Sequence, residues 1–226
     1  MAINLLVLLL LALTGLSWYG FIHFKHQIRG LRDQLSEKDK SLQTALFKIE
    51  QQARHDPLTG VLNRSTLNKI LEAELRRAHR TGHPFCFAII DLDHFRQVNE
   101  QHGHPVGDTV LKEVSATAVN LLRTLDRFGR LGGEEFGVIL PATWLDQSMI
   151  AMGRLAKAVS ECDWEKVAPG LKITFSAGVT TNALGDTAES ITQRAEKALY
   201  QAKSEGRNRV MQAEEALPEA PPIDAD

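Results

Sequence analysis

The sequence predicts an α/β domain of the α+β kind, one mixed sheet with helices packed on it, preceded by a membrane-spanning helix and a helical stalk. Three observations carry this reading. Segments of helical and strand period alternate over residues 64–210, an uncharged apolar stretch fills residues 3–24, and apolar residues recur at three- and four-residue steps between the two.

The apolar stretch runs for 22 residues and contains LLVLLLLALTGL, enough for a helix to cross a hydrocarbon core that needs about 20. The alternative, a cleaved signal peptide, lacks a basic leading region and a small-x-small cleavage site. Lys25, Arg29 and Arg32 follow directly, and basic residues gather on the cytoplasmic flank of a span. Residues 1–24 are therefore expected to anchor a single-pass protein in the inner membrane with its bulk in the cytoplasm. With two residues ahead of the span, no extracytoplasmic sensor domain is expected on this chain. Ile28, Leu31, Leu35, Leu42, Ala45 and Ile49 follow a coiled-coil rhythm, broken at one position by Lys38, and predict a dimeric stalk over residues 25–54. A single amphipathic helix lying on the domain or the membrane is the alternative.

Within residues 55–212, Leu67, Ile70, Leu71 and Leu75 stripe a helix, and the apolar run from Phe85 to Ile90 reads as a central strand ending at Asp91. Val110, Val114, Ala118, Leu121 and Leu122 stripe a second helix. Two strands between Arg127 and Leu140 surround a glycine turn at Gly132 and Gly133. A helix around residues 145–159 leads to a strand with Ile173, Phe175, Ala177 and Val179 alternating. Ile191, Ala195, Ala198, Leu199 and Ala202 stripe a last helix that presents Lys203 near its end. The proline-rich, acidic residues 213–226 read as a disordered tail.

Composition narrows the function. A net charge of -2 supplies no basic field for nucleic acid, and 43% apolar residues suit a globular core. Cys86 and Cys162 have no metal or redox spacing, and Cys86 sits in an apolar run as a buried, inert thiol would. Asp91 and Asp93 at a strand end, with Glu134 and Glu135 on a hairpin turn, put four carboxylates on one sheet. Hard oxygen donors of this kind suit Mg²⁺ and metal-assisted phosphoryl or nucleotidyl transfer, although paired acids at strand ends are also common as solvated surface.

The run RLGGEEFGVILP contains GGEEF, an accepted form of the GGDEF signature, and the chain resembles the GGDEF family of diguanylate cyclases. DPLTGVLNR at residues 56–64 is similar to the family's opening motif, IDLDHFRQVNEQHGHPVGDTVL at 90–111 to its first active-site segment, and ALYQAKSEGRNRV at 198–210 to its closing helix and strand. These motifs stand in family order and cover about 155 residues. The resemblance implies a palm-like nucleotidyl-cyclase domain with a mainly antiparallel sheet. It further implies a homodimer that condenses two GTP into cyclic di-GMP with a pair of Mg²⁺ ions per active site, Mn²⁺ being an alternative.

Carried over by motif, the metal ligands are Asp91, the Leu92 carbonyl and Glu134, with Glu135 added, and Glu134 is also the general base. Asn99 and Asp108 match the guanine contacts, and His104 a substrate contact or, on its residue type alone, a capping or packing histidine. Lys203 and Arg207, one helical turn apart, match the triphosphate contacts. Gly132 and Gly133 let backbone approach the nucleotide, which a side chain would obstruct. Arg123 and Asp126 match an RxxD site at which product inhibits; on residue type alone they make a surface salt bridge. The departures are Arg96 for the usual Lys, which bears on GTP affinity, and Glu100 for the usual Asp. A non-catalytic receptor for cyclic di-GMP or GTP is the alternative, but the signature acids and glycines are all present. A partner-recruiting scaffold remains open, and Asp108 argues against a cyclase of other base choice.

Overall fold

The computed structural model of the chain describes residues 54–213 throughout, residues 34–44, and positions 18, 25, 29, 32 and 49. Met1–Ala53 and Arg54–Asp226 form separate units. In the first, residues 34–44 are helical, and Leu35, Leu42 and Ile49, spaced by sevens, are all exposed. Among the described residues no helix is long and apolar enough to cross a membrane. The expected span lies outside them except for Trp18, and the expected tail except for Ala213, which ends a strand.

In the second unit the element order is β1 (Leu62–Asn63), α1 (Arg64–Thr81), β2 (Phe85–Leu92), α2 (Phe95–His102), α3 (His104–Leu121), β3 (Arg127–Gly132), β4 (Glu135–Pro141), α4 (Leu145–Ser160), β5 (Phe175–Thr181), α5 (Ala188–Ser204) and β6 (Val210–Ala213). One six-stranded sheet runs β1-β3-β4-β2-β5-β6. Its four central strands pair antiparallel, and β1 and β6 join the edges parallel. This is the mixed sheet flanked by helices that the segment pattern predicts.

Helices cover both faces, and strand alternation decides which residue meets which helix. All eight residues of β2 are buried. Cys86, Ala88, Ile90 and Leu92 share a core with Val110 and Val114 of α3 and Met152 and Leu155 of α4. Phe85, Phe87 and Ile89 share the opposite core with Leu67 and Leu71 of α1 and Ile191, Ala195 and Leu199 of α5. Burial on both faces explains why β2 reads as a continuous apolar run.

One local feature is absent from the sequence reading, and one differs from it. Residues 95–121 form two helices, because Gly103 breaks them with φ 84 and ψ 158. Ile173 is buried but precedes β5, which starts at Phe175.

A helix approaches the sheet closely at Gly178 in β5. A Cβ there would run into the backbone of Ala195 and Leu199, so α5 can lie on β5 only because this residue has no side chain. Gly178→Ala is expected to lower unfolding stability by about 3 kcal/mol through overpacking, read as a lower urea midpoint at unchanged slope.

Candidate active site

Strand register builds the acidic half of the site. Asp91 pairs directly with Glu135 across β2 and β4. Side chains so placed stand roughly 5 Å apart on one face, where like charges repel. By alternation that face is the α1/α5 side, and Lys203 of α5, one turn beyond core Leu199, places its Nζ 2.9 Å from Asp91 Oδ2. Burial first, and then the Asp91 carboxylate, push Glu135 above its ordinary value; Glu134 adds to the push, while Lys203 and Arg64 oppose it. The cluster thus carries more negative charge than Lys203 offsets.

The turn between β3 and β4 supplies Glu134. Gly132 and Gly133 have φ of 149 and 52, conformations that disfavour a side chain. A Cβ at either would meet nothing within 4 Å, so it is backbone conformation, not crowding within this chain, that calls for glycine. The Leu92 N–H donates to the Glu134 carbonyl at 3.4 Å, which ties the turn to the end of β2.

Sequence reasoning missed the residue that holds this turn. Arg130 donates from Nη2 and Nε to the Gly133 carbonyl at 2.8 and 3.0 Å, and from Nη1 to Asp56 at 3.2 Å. Asp56 in turn accepts from the Thr59 N–H and hydroxyl. The signal was an arginine two residues before the glycine pair and an aspartate opening DPLTG, but only folding pairs them.

Asp93 does not belong with the other acids. Its carboxylate accepts from Thr174 Oγ1 at 2.7 Å, Ser176 Oγ at 2.7 Å and the Asn208 N–H at 3.0 Å. Of the four carboxylates on the sheet, Asp93 is thereby engaged on the β5 side, which leaves Asp91, Glu134 and Glu135 as the candidate metal ligands.

A cleft of about 240 Å³ is lined by Asp91, Leu92, Phe95, Glu134, Lys203 and Arg207 among others. A second, of about 520 Å³, is lined by Phe95, Arg96, Asn99, Glu100, His104 and Glu134. Glu134 thus lines both. Asp108, one turn beyond His104 on α3, is exposed and lines neither. Gly107 packs against Asn99 and Phe95 so closely that a Cβ would collide with the Asn99 amide. Lys203 and Arg207 are not one helical turn apart: α5 ends at Ser204, and Arg207 follows in a loop with φ 62. Arg96 and Glu100 pair with each other at 2.8 Å on the surface of α2, a contact worth little in water.

Oxygen donors, surplus negative charge and an open cleft fit a divalent cation. Among the described residues no three acidic, His or Cys side chains are grouped so as to hold a metal ion by themselves.

Arg123 and Asp126 lie elsewhere, after α3. The Arg123 N–H donates to Asp126 Oδ2 at 2.8 Å, a turn rather than a side-chain salt bridge. Both line a cleft of about 710 Å³ with His55, Lys112 and Arg127.

The Arg130–Asp56 pair should be visible in stability. Burial raises the Asp56 carboxyl, but its Thr59 and Arg130 partners outweigh this and hold it below the ordinary value. A lowered carboxylate stabilises the fold above its unfolded pKa and loses that contribution as pH falls through the folded one. Arg130→Met is expected to destabilise by about 2 kcal/mol at pH 7, with the difference from wild type shrinking below about pH 4 in urea titrations.

Comparison with known proteins places this geometry in a family. The pattern of the family described as "Diguanylate cyclase, GGDEF domain" matches residues 53–209. The chain is 39% identical over 178 residues to diguanylate cyclase DgcP of Pseudomonas aeruginosa, covering 79% of this chain and 26% of that one. The coiled coil and GGDEF domain of DgcB from Caulobacter crescentus, solved in complex with c-di-GMP, superposes with a TM-score of 0.74 at 28% identity over 81% of this chain and 97% of that one. The active GGEEF domain of a diguanylate cyclase from Vibrio cholerae gives 0.64 at 31% identity over 68% and 98%. The chain spans between about a quarter and a third of the length of the first curated relatives it matches. Over residues 53–209 it belongs to the GGDEF diguanylate cyclase family.

Proposed function

We propose that the chain is a diguanylate cyclase that condenses two GTP into cyclic di-GMP and two pyrophosphates, as a homodimer, with Mg²⁺. The observation that carries this is the pairing of Asp91 with Glu135 by strand register, beside Glu134 and within reach of the cation Lys203. Relatives that cover most of this domain are named for the same activity or solved with its product.

In this reading Asp91, the Leu92 carbonyl, Glu134 and Glu135 hold the metal. When bound, the ions offset charge on the α-phosphate as a ribose 3′-hydroxyl attacks and pyrophosphate leaves. Glu134 takes the hydroxyl proton. Asn99 and Asp108 read guanine, the carboxylate accepting paired N–H groups that adenine lacks, and His104 lies beside them. Lys203 and Arg207 meet the triphosphate; the contact of Lys203 with Asp91 supports this, because a cation arriving at Asp91 frees the ammonium for phosphate.

Each domain holds one GTP, so two must face each other. Leu35, Leu42 and Ile49, exposed at heptad spacing, support a stalk that pairs them. The uncharged residues 3–24 followed by Lys25, Arg29 and Arg32 support an inner-membrane anchor with the catalytic domain in the cytoplasm.

Incubating the detergent-solubilised chain with GTP and Mg²⁺ and identifying the nucleotide by mass spectrometry tests the activity. Tight cyclic di-GMP binding without turnover would instead make it a receptor. Glu134→Gln is expected to abolish product while leaving the melting temperature near wild type; turnover close to wild type would remove Glu134 from the mechanism. The inhibitory reading of Arg123 and Asp126 rests on their shared cleft, which no residue of the acidic clefts lines. Cyclic di-GMP should therefore inhibit non-competitively with GTP, and Arg123→Ala should relieve inhibition with initial rates near wild type. An Arg123→Ala enzyme as product-sensitive as its parent would rule this site out.

A further inference from the structure

The chemistry proposed above gives Asp93 no part, yet the residue is 5% exposed and its carboxylate is fully engaged. Two of its partners, Thr174 and Ser176, lie on or just before β5. The third, the Asn208 N–H, belongs to the loop that follows α5. That loop is unusual: Arg207 and Asn208 are consecutive non-glycine residues with φ of 62 and 46. Left-handed residues of this kind are unfavourable and persist where surrounding contacts hold them.

Backbone hydrogen bonds hold this pair and its neighbour Arg209, whose Nε also donates to the Arg207 carbonyl at 3.1 Å. The Arg207 N–H donates to the Ala202 carbonyl at 3.0 Å, and the Arg209 carbonyl accepts from the Ala177 N–H at 2.9 Å. Both of these tie the loop to its own helix or to β5. The bond from Asn208 to Asp93 reaches the end of β2 instead, two residues from Asp91, and Asp91 and Arg207 line the same cleft.

The geometry points to Asp93 as a positioning residue that holds the Arg207 backbone in its left-handed turn and so sets the guanidinium opposite Asp91 and Glu134, where a nucleotide triphosphate would be gripped. This rests on the reading above that Arg207 meets substrate phosphate. Charge alone makes the opposite prediction. Removing a carboxylate beside an anion site should tighten phosphate binding, whereas losing the anchor should weaken it.

The test uses the full chain in detergent with Mg²⁺ and a GTP analogue bridged by methylene between the α- and β-phosphates, its Kd measured by calorimetry. Asp93→Ala, which removes both acceptor oxygens, is expected to weaken binding about tenfold. Arg207→Ala should weaken it comparably. The double variant should be no more than about twofold weaker than Arg207→Ala alone, because the two substitutions remove one interaction.

Unchanged or tighter binding by Asp93→Ala, or losses that multiply in the double variant, would overturn the positioning role while leaving the function intact. Unchanged binding by Arg207→Ala would overturn the phosphate role of Arg207 and this inference with it. If Asp93→Ala is unfolded at the assay temperature, Thr174→Val replaces it. That change removes one donor from the Oδ2 that also accepts from Asn208, and should weaken binding several-fold, again without adding to Arg207→Ala. Binding by Thr174→Val at the wild-type level would count against the proposal.

Discussion

The placement of Asp91 directly opposite Glu135 is the constraint on which the rest of the domain turns. Two carboxylates on facing positions of adjacent antiparallel strands repel, and the pair persists because the register is set elsewhere. The alternation that brings these acids to the α1/α5 face also sends Ile90 and Leu92 to the α3/α4 core and Ile89 to the other. A slip of one residue would exchange the two buried faces, turning Asp91 into the core that Ile90 and Leu92 now fill. Core packing thus enforces an electrostatic arrangement that the acids alone would not choose, and that arrangement calls for a cation.

Cations are delivered to it by separate tethers. Lys203 arrives because α5 lies flat on β5, an approach that depends on the bare backbone of Gly178. Arg207 arrives on a loop whose backbone is bound at Ala202 and at Asp93. The turn bearing Glu134 is held from the opposite side by Arg130, itself braced on Asp56. Acid strand, acid turn and the helix and loop that carry both cations come from three regions of sequence, each held by contacts outside the cleft.

The cleft that holds Arg123 and Asp126 shares strand β3 with the acidic turn. Arg127 begins that strand and Gly132 ends it, a run of roughly 17 Å at strand rise. The clefts share no lining residue, and besides β3 they are joined by α3, whose His104 lines one and whose Lys112 lines the other.

Much of this was legible in the residues. The apolar run of β2 ending in Asp91, the glycine turn and the α5 stripe carrying Lys203 all follow from local period and turn chemistry, and the folded elements fall where those patterns put them. Asp93 was misleading for a physical reason: i and i+2 share a face only within a strand, and β2 ends at Leu92, so the next carboxylate turns toward β5. Arg207 misled likewise, since a spacing of four implies one helical turn only while the helix lasts. By itself the sequence determined the family, the elements and the chemical types available, because those are written in short-range periodicity and contiguous motifs. Only the tertiary structure decided which carboxylates share a cleft, which cation neutralises Asp91 and what holds Arg207, because those depend on strand register and on bonds such as that between Asn208 and Asp93, which joins residues 115 positions apart.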